Sequence, residues 1–432
     1  MGDEYKDVEV GILLRLYKQP EIQKEIVESA EDKEVAVKFG ERGFGKRPDV
    51  LQYPSDILEL AKQRATSFHC SEELWKNPLQ LDPMMRKQDV EELRKGWDLV
   101  IDIDCPFLDY SKIAADLIVK ALKHHSVNAV SVKFSGNHGF HIAVPFESFP
   151  DKVHETETKL LFPEGARKIA LYLKEMIKNH LRKALLAQED IDVIKKKTGK
   201  PFSELVPDGE FDPFSVLSID TLLISSRHLY RAPYSLNEKS GLVSIPIDPS
   251  KILEFDKSNA EPDKVKISSF KFLDRSVAKK GEGKNLIVSA FDFKPSIEEE
   301  EIKVRKEYVI PEEAVPEDLF PPCIKLIFKG LRDGKKRSLF VLVNFLVSCG
   351  WSYEQIETKL KEWNKKNGEM IKEVLIVGQL RYHKQQKKKI LPPNCNNSMY
   401  YKDFGVCKPD NLCGKIKNPV QYCRRKVWGK KK

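Results

Sequence analysis

With 432 residues, 41% of them hydrophobic and 32% charged, the chain is long enough for two or three domains and has the make-up of a soluble globular protein. No apolar run approaches the roughly 20 residues that span a bilayer, and the acidic start MGDEYKDVEV is unlike a secretory signal. A cytoplasmic protein with no membrane partner is expected. The formal charge of +9 is unevenly placed, because residues 381–432 hold fifteen Lys or Arg against Asp403 and Asp410, leaving the remainder slightly acidic. Such an end attracts polyanions.

In chain order, residues 9–30 and 53–66 have helical spacing of apolar positions, for example Ile57, Leu58, Leu60 and Ala61. DLVIDID reads as a strand, residues 111–124 as an amphipathic helix, NAVSVKF as a second strand, SGNHG as a turn and FHIAV as a third strand. The helical run GARKIALYLKEMIKNHLRKALL follows, and RHLYRAPYSLNEKSGLVSIPI reads as strand, turn, strand. Residues 294–319 are acidic and punctuated by proline, as an interdomain linker would be. Beyond them the pattern is helical: CIKLIFKGLRD, KKRSLFVLVNFLVSCG with Gly350 as a stop, and SYEQIETKLKEWNKKNG, where Ser352 and Gln355 stand at capping-box positions. The expected fold is α+β: residues 1–293 with a mixed sheet and flanking helices, then an all-α, cysteine-rich domain over 320–432 with a basic tail.

The chemistry concentrates in two places. On a strand, alternate side chains share a face, so Asp102 and Asp104 of DLVIDID point the same way. Paired carboxylates repel unless a cation lies between them, and hard oxygen ligands suit Mg²⁺ or Mn²⁺, which complete their shells with substrate phosphates. Many strands end in a solvated Asp, and sugar-nucleotide transferases use the same spacing. The neighbouring FSGNHGFH sharpens the reading: Gly136 and Gly139 free the backbone to turn tightly, while Ser135, His138 and His141 offer donors for phosphate oxygens. Without the carboxylates, a hairpin loop with a satisfied histidine would be the better account.

The second place is the cysteines. Cys70, Cys105 and Cys349 sit singly, as small buried residues do, whereas Cys323 stands upstream of four crowded between 395 and 423. In a reducing compartment that clustering points to metal. In the basic segment RYHKQQKKK, Tyr382 and His383 interleave with cations, the pattern of a nucleic-acid backbone contact, while GKKK at the terminus is equally well a solvated tail.

LVIDID, FSGNHGFHI and RAPYSLNEKSGL, in this order, resemble the catalytic subunit of archaeo-eukaryotic DNA primases. The resemblance implies that Asp102, Asp104 and Asp220 hold the metals. It also implies that Ser135, Gly136, His138 and His141 meet the triphosphate together with Arg231, Asn237 and Lys239, with Arg42 or Arg47 as a further phosphate contact. Two departures stand out: Asn237 replaces a histidine, and the zinc knuckle that follows the carboxylate pair in the family is absent. A second resemblance, of Cys323, Cys395, Cys407 and Cys413 to the four cysteines of the primase large subunit, implies a [4Fe–4S] cluster, with zinc the alternative and Cys423 a spare thiol or a rival for Cys413.

Together the two resemblances suggest a single-chain fused primase like those of reduced archaea. The implied enzyme starts primers de novo on a single-stranded DNA template from nucleoside triphosphates by two-metal transfer, yields a primer duplex, works as a monomer and meets replisome proteins. A polymerase that mainly extends or repairs ends, or a non-catalytic single-strand binder, is the alternative.

Overall fold

The computed structural model describes residues 10–82, 85–207, 209–221, 224–294, 311, 313–331, 334–385, 390–397 and 400–429. The chain divides into two compact units, residues 1–300 and 301–432. The first unit carries strands β1 (Val35–Lys38), β2 (Ser67–Ser71), β3 (Glu73–Trp75), β4 (Arg94–Trp97), β5 (Leu99–Asp104), β6 (Ser131–Phe134), β7 (Phe140–Val144), β8 (Lys152–Val153), β9 (Thr156–Glu157), β10 (Ser218–Ile219), β11 (Leu229–Arg231) and β12 (Pro246–Ile247). Five of them form a main sheet in the order β10-β5-β7-β6-β12, and three form a second sheet, β1-β2-β11; β3-β4 and β8-β9 are ribbons.

Every one of these strand pairs is antiparallel, where a mixed sheet is expected from the sequence. The reason lies in the crossover: the helix Leu108–His124 joins β5 to β6, which run the same way, but β7 is inserted between them and pairs with both. That helix buries Tyr110, Ala114, Ile118 and Leu122, four residues apart on one stripe, and packs on the helix Glu164–Gln188. It begins at Leu108 rather than Ser111, with Asp109 in its first turn. Both helices lie against β5, where Leu99, Ile101 and Ile103 are fully buried, each contributing about 1.5–3 kcal/mol. Alternation then leaves Asp102 and Asp104 on the opposite face.

The apolar run expected as a helix over residues 9–30 is two helices, Val10–Tyr17 and Pro20–Ser29, because Pro20 forces Gln19 into an extended conformation. RHLYRAPYSLNEKSGLVSIPI is strand, turn, strand as its sequence implies. Its two strands do not pair with each other: β11 joins β2 in the second sheet and β12 joins β6 in the main sheet, so the segment crosses from one sheet to the other. Its central loop is closed by a bridge between Leu236 and Val243 and by backbone hydrogen bonds such as Tyr234 N–H to the Ser244 carbonyl at 2.6 Å.

The second unit packs the helices Pro322–Ile327, Lys335–Ser348, Tyr353–Asn364, Glu373–Gln385 and Pro419–Gly429 around its own core, which includes Phe320, Ile324, Leu342, Phe345, Leu360 and Trp363. Ser352 and Gln355 exchange both capping-box hydrogen bonds, at 2.9 and 3.3 Å. Val315 and Leu319, from the end of the segment read as a linker, are buried in this core, and the Trp351 indole N–H donates to the Val315 carbonyl at 2.9 Å. Residues 295–310 and 312 of that segment lie outside the described residues. Among the described residues no helix is long and apolar enough to cross a membrane.

Candidate active site

A cleft of about 300 Å³ in the first unit is lined by residues of both sheets. The main sheet supplies Asp102, Asp104 and His141, and the second sheet supplies Lys38, His69 and Arg231.

Register builds the acidic wall. Cross-strand partners share a face, and Asp104 pairs with Ser218 while Asp102 pairs with His141. The Asp220 N–H donates to the Asp102 carbonyl at 3.0 Å, which continues the β10–β5 register one step and puts Asp220 on the face of Asp102 and Asp104. The three acids do not close on a point: among the described residues no three His, Cys, Asp or Glu side chains gather closely enough to hold a metal ion. Like charges stand apart, and Asp102 turns to His141, whose Nε2 lies 3.3 Å from its Oδ1. The Asp102 side chain is 47% exposed. Desolvation in the cleft pushes its acid strength one way, but the neighbouring His141 and Lys133 outweigh it and hold the carboxyl below the usual range. His141 is itself held below the ordinary histidine value by burial and by Lys133, and its Nδ1 is buried without a hydrogen-bond partner.

The turn between β6 and β7 is shaped by its glycines. Gly136 has φ +94°, and a Cβ there would sit 2.9 Å from that of Asn237; a Cβ on Gly139 would sit 1.8 Å from the Ile103 carbonyl oxygen, next to Asp104. The Gly139 N–H donates to Ser135 Oγ at 3.3 Å, which keeps the Ser135 side chain at the cleft. Asn237 is held by its N–H to the Leu242 carbonyl at 2.7 Å, and its Oδ1 accepts the Lys239 N–H at 3.0 Å.

The cationic wall comes from the second sheet. Arg231 pairs with His69, His69 with Ala36 and Ser67 with Lys38, so Lys38, Ser67, His69 and Arg231 share one face. Glu238 sits among them, almost fully buried: its carboxylate accepts from Arg231 Nη2 at 3.0 Å and from the Ser67 hydroxyl, with Lys38 Nζ at 3.7 Å. Burial would raise the Glu238 carboxyl, and Arg231 with Ser67 overcomes it, leaving it ionised below the usual range. His69 is driven well below the ordinary histidine value by burial and by Arg231 and Lys38, so it stays neutral. His228 goes the other way: burial opposes its charge, but Glu72 Oε1, 2.7 Å from Nδ1, raises it.

Of the residues singled out in the sequence, Asp102, Asp104, Ser135, His141, Arg231, Asn237 and Lys239 line this cleft. Gly136, His138, Asp220 and Arg47 are not among its lining residues. The His138 carbonyl accepts the Ser111 hydroxyl at 2.7 Å, and Asn137 lines the cleft in its place. Arg47 is drawn to the buried Glu34 at 2.9 Å and donates to the Arg227 carbonyl at 2.8 Å; a buried carboxylate demands such partners, and Arg227 is its second. Lys38, His69, Glu72, His228 and Glu238 are cleft residues that no local pattern marks, because pairing between distant strands brings them together.

In the second unit, Cys323, Cys395, Cys407 and Cys413 are free thiols whose charges oppose one another. Burial pushes Cys323 up, and Cys395, Cys413 and Cys407 push it further; Cys395 is raised to about 11, by burial and then by Cys413 and Cys407. The Cys395 N–H donates to the Lys417 carbonyl at 2.9 Å, and the Asn418 side chain donates to the Pro392 carbonyl at 2.7 Å, tying the two cysteine loops together. Cys423 is buried elsewhere, against Cys349 and the Leu319 carbonyl.

No family model matches the chain. Over 206 residues, 40% of this chain and 57% of the relative, it is 30% identical to the DNA primase small subunit PriS of Pyrobaculum aerophilum. Over 144 residues, 31% of this chain and 37% of the relative, it is 29% identical to the DNA primase large subunit PriL of Methanococcoides burtonii. It is similar to both kinds of primase subunit. The chain spans between 37% and 57% of the length of these curated relatives. Among solved structures, the polymerase domain from Mycobacterium tuberculosis Ligase D in complex with DNA aligns with 65% of this chain and 88% of that one, at 12% identity and a TM-score of 0.35.

Proposed function

We propose that the chain is a template-directed nucleotidyltransferase that starts primers de novo on single-stranded DNA. The observation that carries this reading is the meeting of an acidic wall, Asp102 and Asp104 with Asp220 on the same sheet face, and a cationic wall, Lys38 and Arg231, across one cleft. The similarity to primase small and large subunits supports it.

The donor set of Asp102, Asp104 and Asp220 is hard oxygen, which fits Mg²⁺ or Mn²⁺. When bound, such ions lower the pKa of an attacking 3′-hydroxyl and stabilise the departing pyrophosphate. The protein's own share is binding and alignment. Arg231, Lys38 and Lys239 would neutralise the triphosphate, and Ser135 with the glycine-bent backbone of the SGNHG turn would set its position, so that the reacting atoms meet in line. Neutral His141, hydrogen-bonded to Asp102, would orient that carboxylate. The four thiols Cys323, Cys395, Cys407 and Cys413, although they are not gathered into a metal-binding group among the described residues, are the donor type that a [4Fe–4S] cluster would take ahead of zinc. The second unit, basic toward its end, would grip the template and the initiating nucleotide.

The test is synthesis by the full chain on single-stranded DNA with nucleoside triphosphates and Mg²⁺ or Mn²⁺, with and without a primer. Product without primer is expected. Product only from primed template would reduce the enzyme to an extending polymerase, and none from either would overturn the reading. Protein purified without oxygen should carry about four irons per chain and lose them on Cys323→Ser, whereas zinc in their place would decide for the alternative.

A further inference from the structure

The turn FGERGFG lies beside the cleft, and its groups are held too firmly for a passive loop. The Phe39 N–H donates to the Gly43 carbonyl at 2.9 Å and the Gly45 N–H to the Val37 carbonyl at 2.8 Å. Lys38 and Phe44 form an antiparallel bridge, so the turn prolongs β1 as a short hairpin and Phe44 shares the cleft face with its cross-strand partner Lys38. Gly43, at φ +80°, permits the bend.

The Phe44 ring is 52% exposed. It meets His69 edge-on at 5.1 Å between centroids, and the Lys38 amino group lies 6.0 Å from its centre; both of those residues line the cleft. Behind it, the Arg42 guanidinium lies over the Phe39 ring at 5.3 Å and is fixed by donating to the Gln63 carbonyl at 2.6 Å. Phe39, Arg42, Gly43, Phe44, Gly45 and Gln63 line a hollow of about 240 Å³.

Two aromatic rings, a planar guanidinium and bare glycine backbone make a surface for a flat heteroaromatic ring, since every nucleobase has a π face and stacks on such groups whatever its sequence. Lys38, between hollow and cleft, offers charge to an adjoining phosphate. Resting on the nucleotidyl-transfer reading above, we infer that the FGERGFG turn is a nucleobase subsite at the rim of the cleft, with Phe44 as its stacking surface. The base comes either with the incoming nucleotide or with the strand being copied; both present the same ring face.

Full-length protein with Phe44→Ala or Phe44→Trp separates these sources. Affinity for a fluorescein-labelled oligothymidine, with and without abasic positions, is measured by anisotropy, and the nucleotide KM is measured in primed synthesis. In Phe44→Ala one of the two constants should worsen by about tenfold, and Phe44→Trp should keep the parent value. A loss in oligothymidine affinity that the abasic strand does not share assigns the base to the copied strand; a rise in nucleotide KM alone assigns it to the incoming nucleotide. Parent-like constants in Phe44→Ala, or an equal loss for the abasic strand, would overturn the subsite. Asp102→Asn, run alongside, reports on the underlying reading separately: if it keeps full synthesis, that reading falls, whatever Phe44 does to binding.

Discussion

The two walls of the cleft are built differently. On the main sheet, the acids Asp102 and Asp104 come from a single strand, two residues apart, and Asp220 reaches them through one step of register. On the second sheet, Lys38, His69 and Arg231 come from three strands widely separated in sequence, and Glu238 stands among them as a fixed counter-ion. Local alternation is enough to put like charges on one face of a strand. A triphosphate presents charge over several ångströms at different angles, which side chains from different strands can meet together. The walls are also tied together: Lys33, ahead of β1, lies 2.6 Å from Asp98, ahead of β5, and both are buried.

The comparison breaks at its strongest point if the acidic wall has no part in the chemistry. Asp102→Asn should lower nucleotide incorporation on the order of a thousandfold while leaving strand affinity within about twofold, as expected for a metal ligand rather than a docking residue. Incorporation within tenfold of the parent would remove the wall from the mechanism.

Next in size is the tie between the walls. Asp98 accepts Lys33 at 2.6 Å and Arg275 at 2.8 Å; burial would raise its carboxyl, and these two cations hold it below the usual range. Its folded pKa is therefore depressed, so its contribution is present above the ordinary Asp value near pH 4 and is lost as pH falls through the folded value. Asp98→Asn should lower unfolding stability at pH 7 by about 3 kcal/mol, leaving the buried Lys33 and the half-buried Arg275 short of a partner, and the deficit should narrow below about pH 4. Urea titration at several pH values checks both the size and the sign, and a deficit independent of pH would count against the ion pair.

The cationic wall is probed by Arg231→Ala, expected to raise the nucleotide KM by roughly 10- to 100-fold with kcat changed only a few-fold, the signature of a lost charge-assisted contact. A fall in kcat with KM unchanged would move Arg231 from binding to the reacting centre. The smallest effect belongs to Glu238→Gln. With its anchor weakened, the wall should lose alignment rather than charge, and KM should rise by roughly threefold to tenfold. A fall in KM would instead mean that Glu238 competes with the substrate for Arg231 and Lys38.

What could be read from the sequence follows the same division. DLVIDID, the SGNHG turn and the Ser352 cap are local devices whose meaning depends on a few neighbours, and each stands in the structure as its spacing implies. Partner choice is not local. Leu229–Arg231 and Pro246–Ile247 read as strands on either side of a turn, and each finds a different sheet, which the turn does not dictate. Arg47 carries the right charge for a phosphate, but the buried Glu34, over ten residues upstream, claims it. His69 and Lys38 acquire a role only when β1, β2 and β11 align. The helices Glu373–Gln385 and Pro419–Gly429 escape notice for another reason: polar and basic residues interrupt their apolar stripes.

The central claim is that both walls act on one nucleotide. A crystal structure of the full chain with Mn²⁺ and a non-hydrolysable nucleoside triphosphate tests it most directly. Anomalous signal is expected at the carboxylates of Asp102 and Asp104, with the triphosphate oxygens reaching Arg231 and Lys239 on the facing side. Manganese away from those carboxylates, or a triphosphate bound outside the cleft, would contradict it.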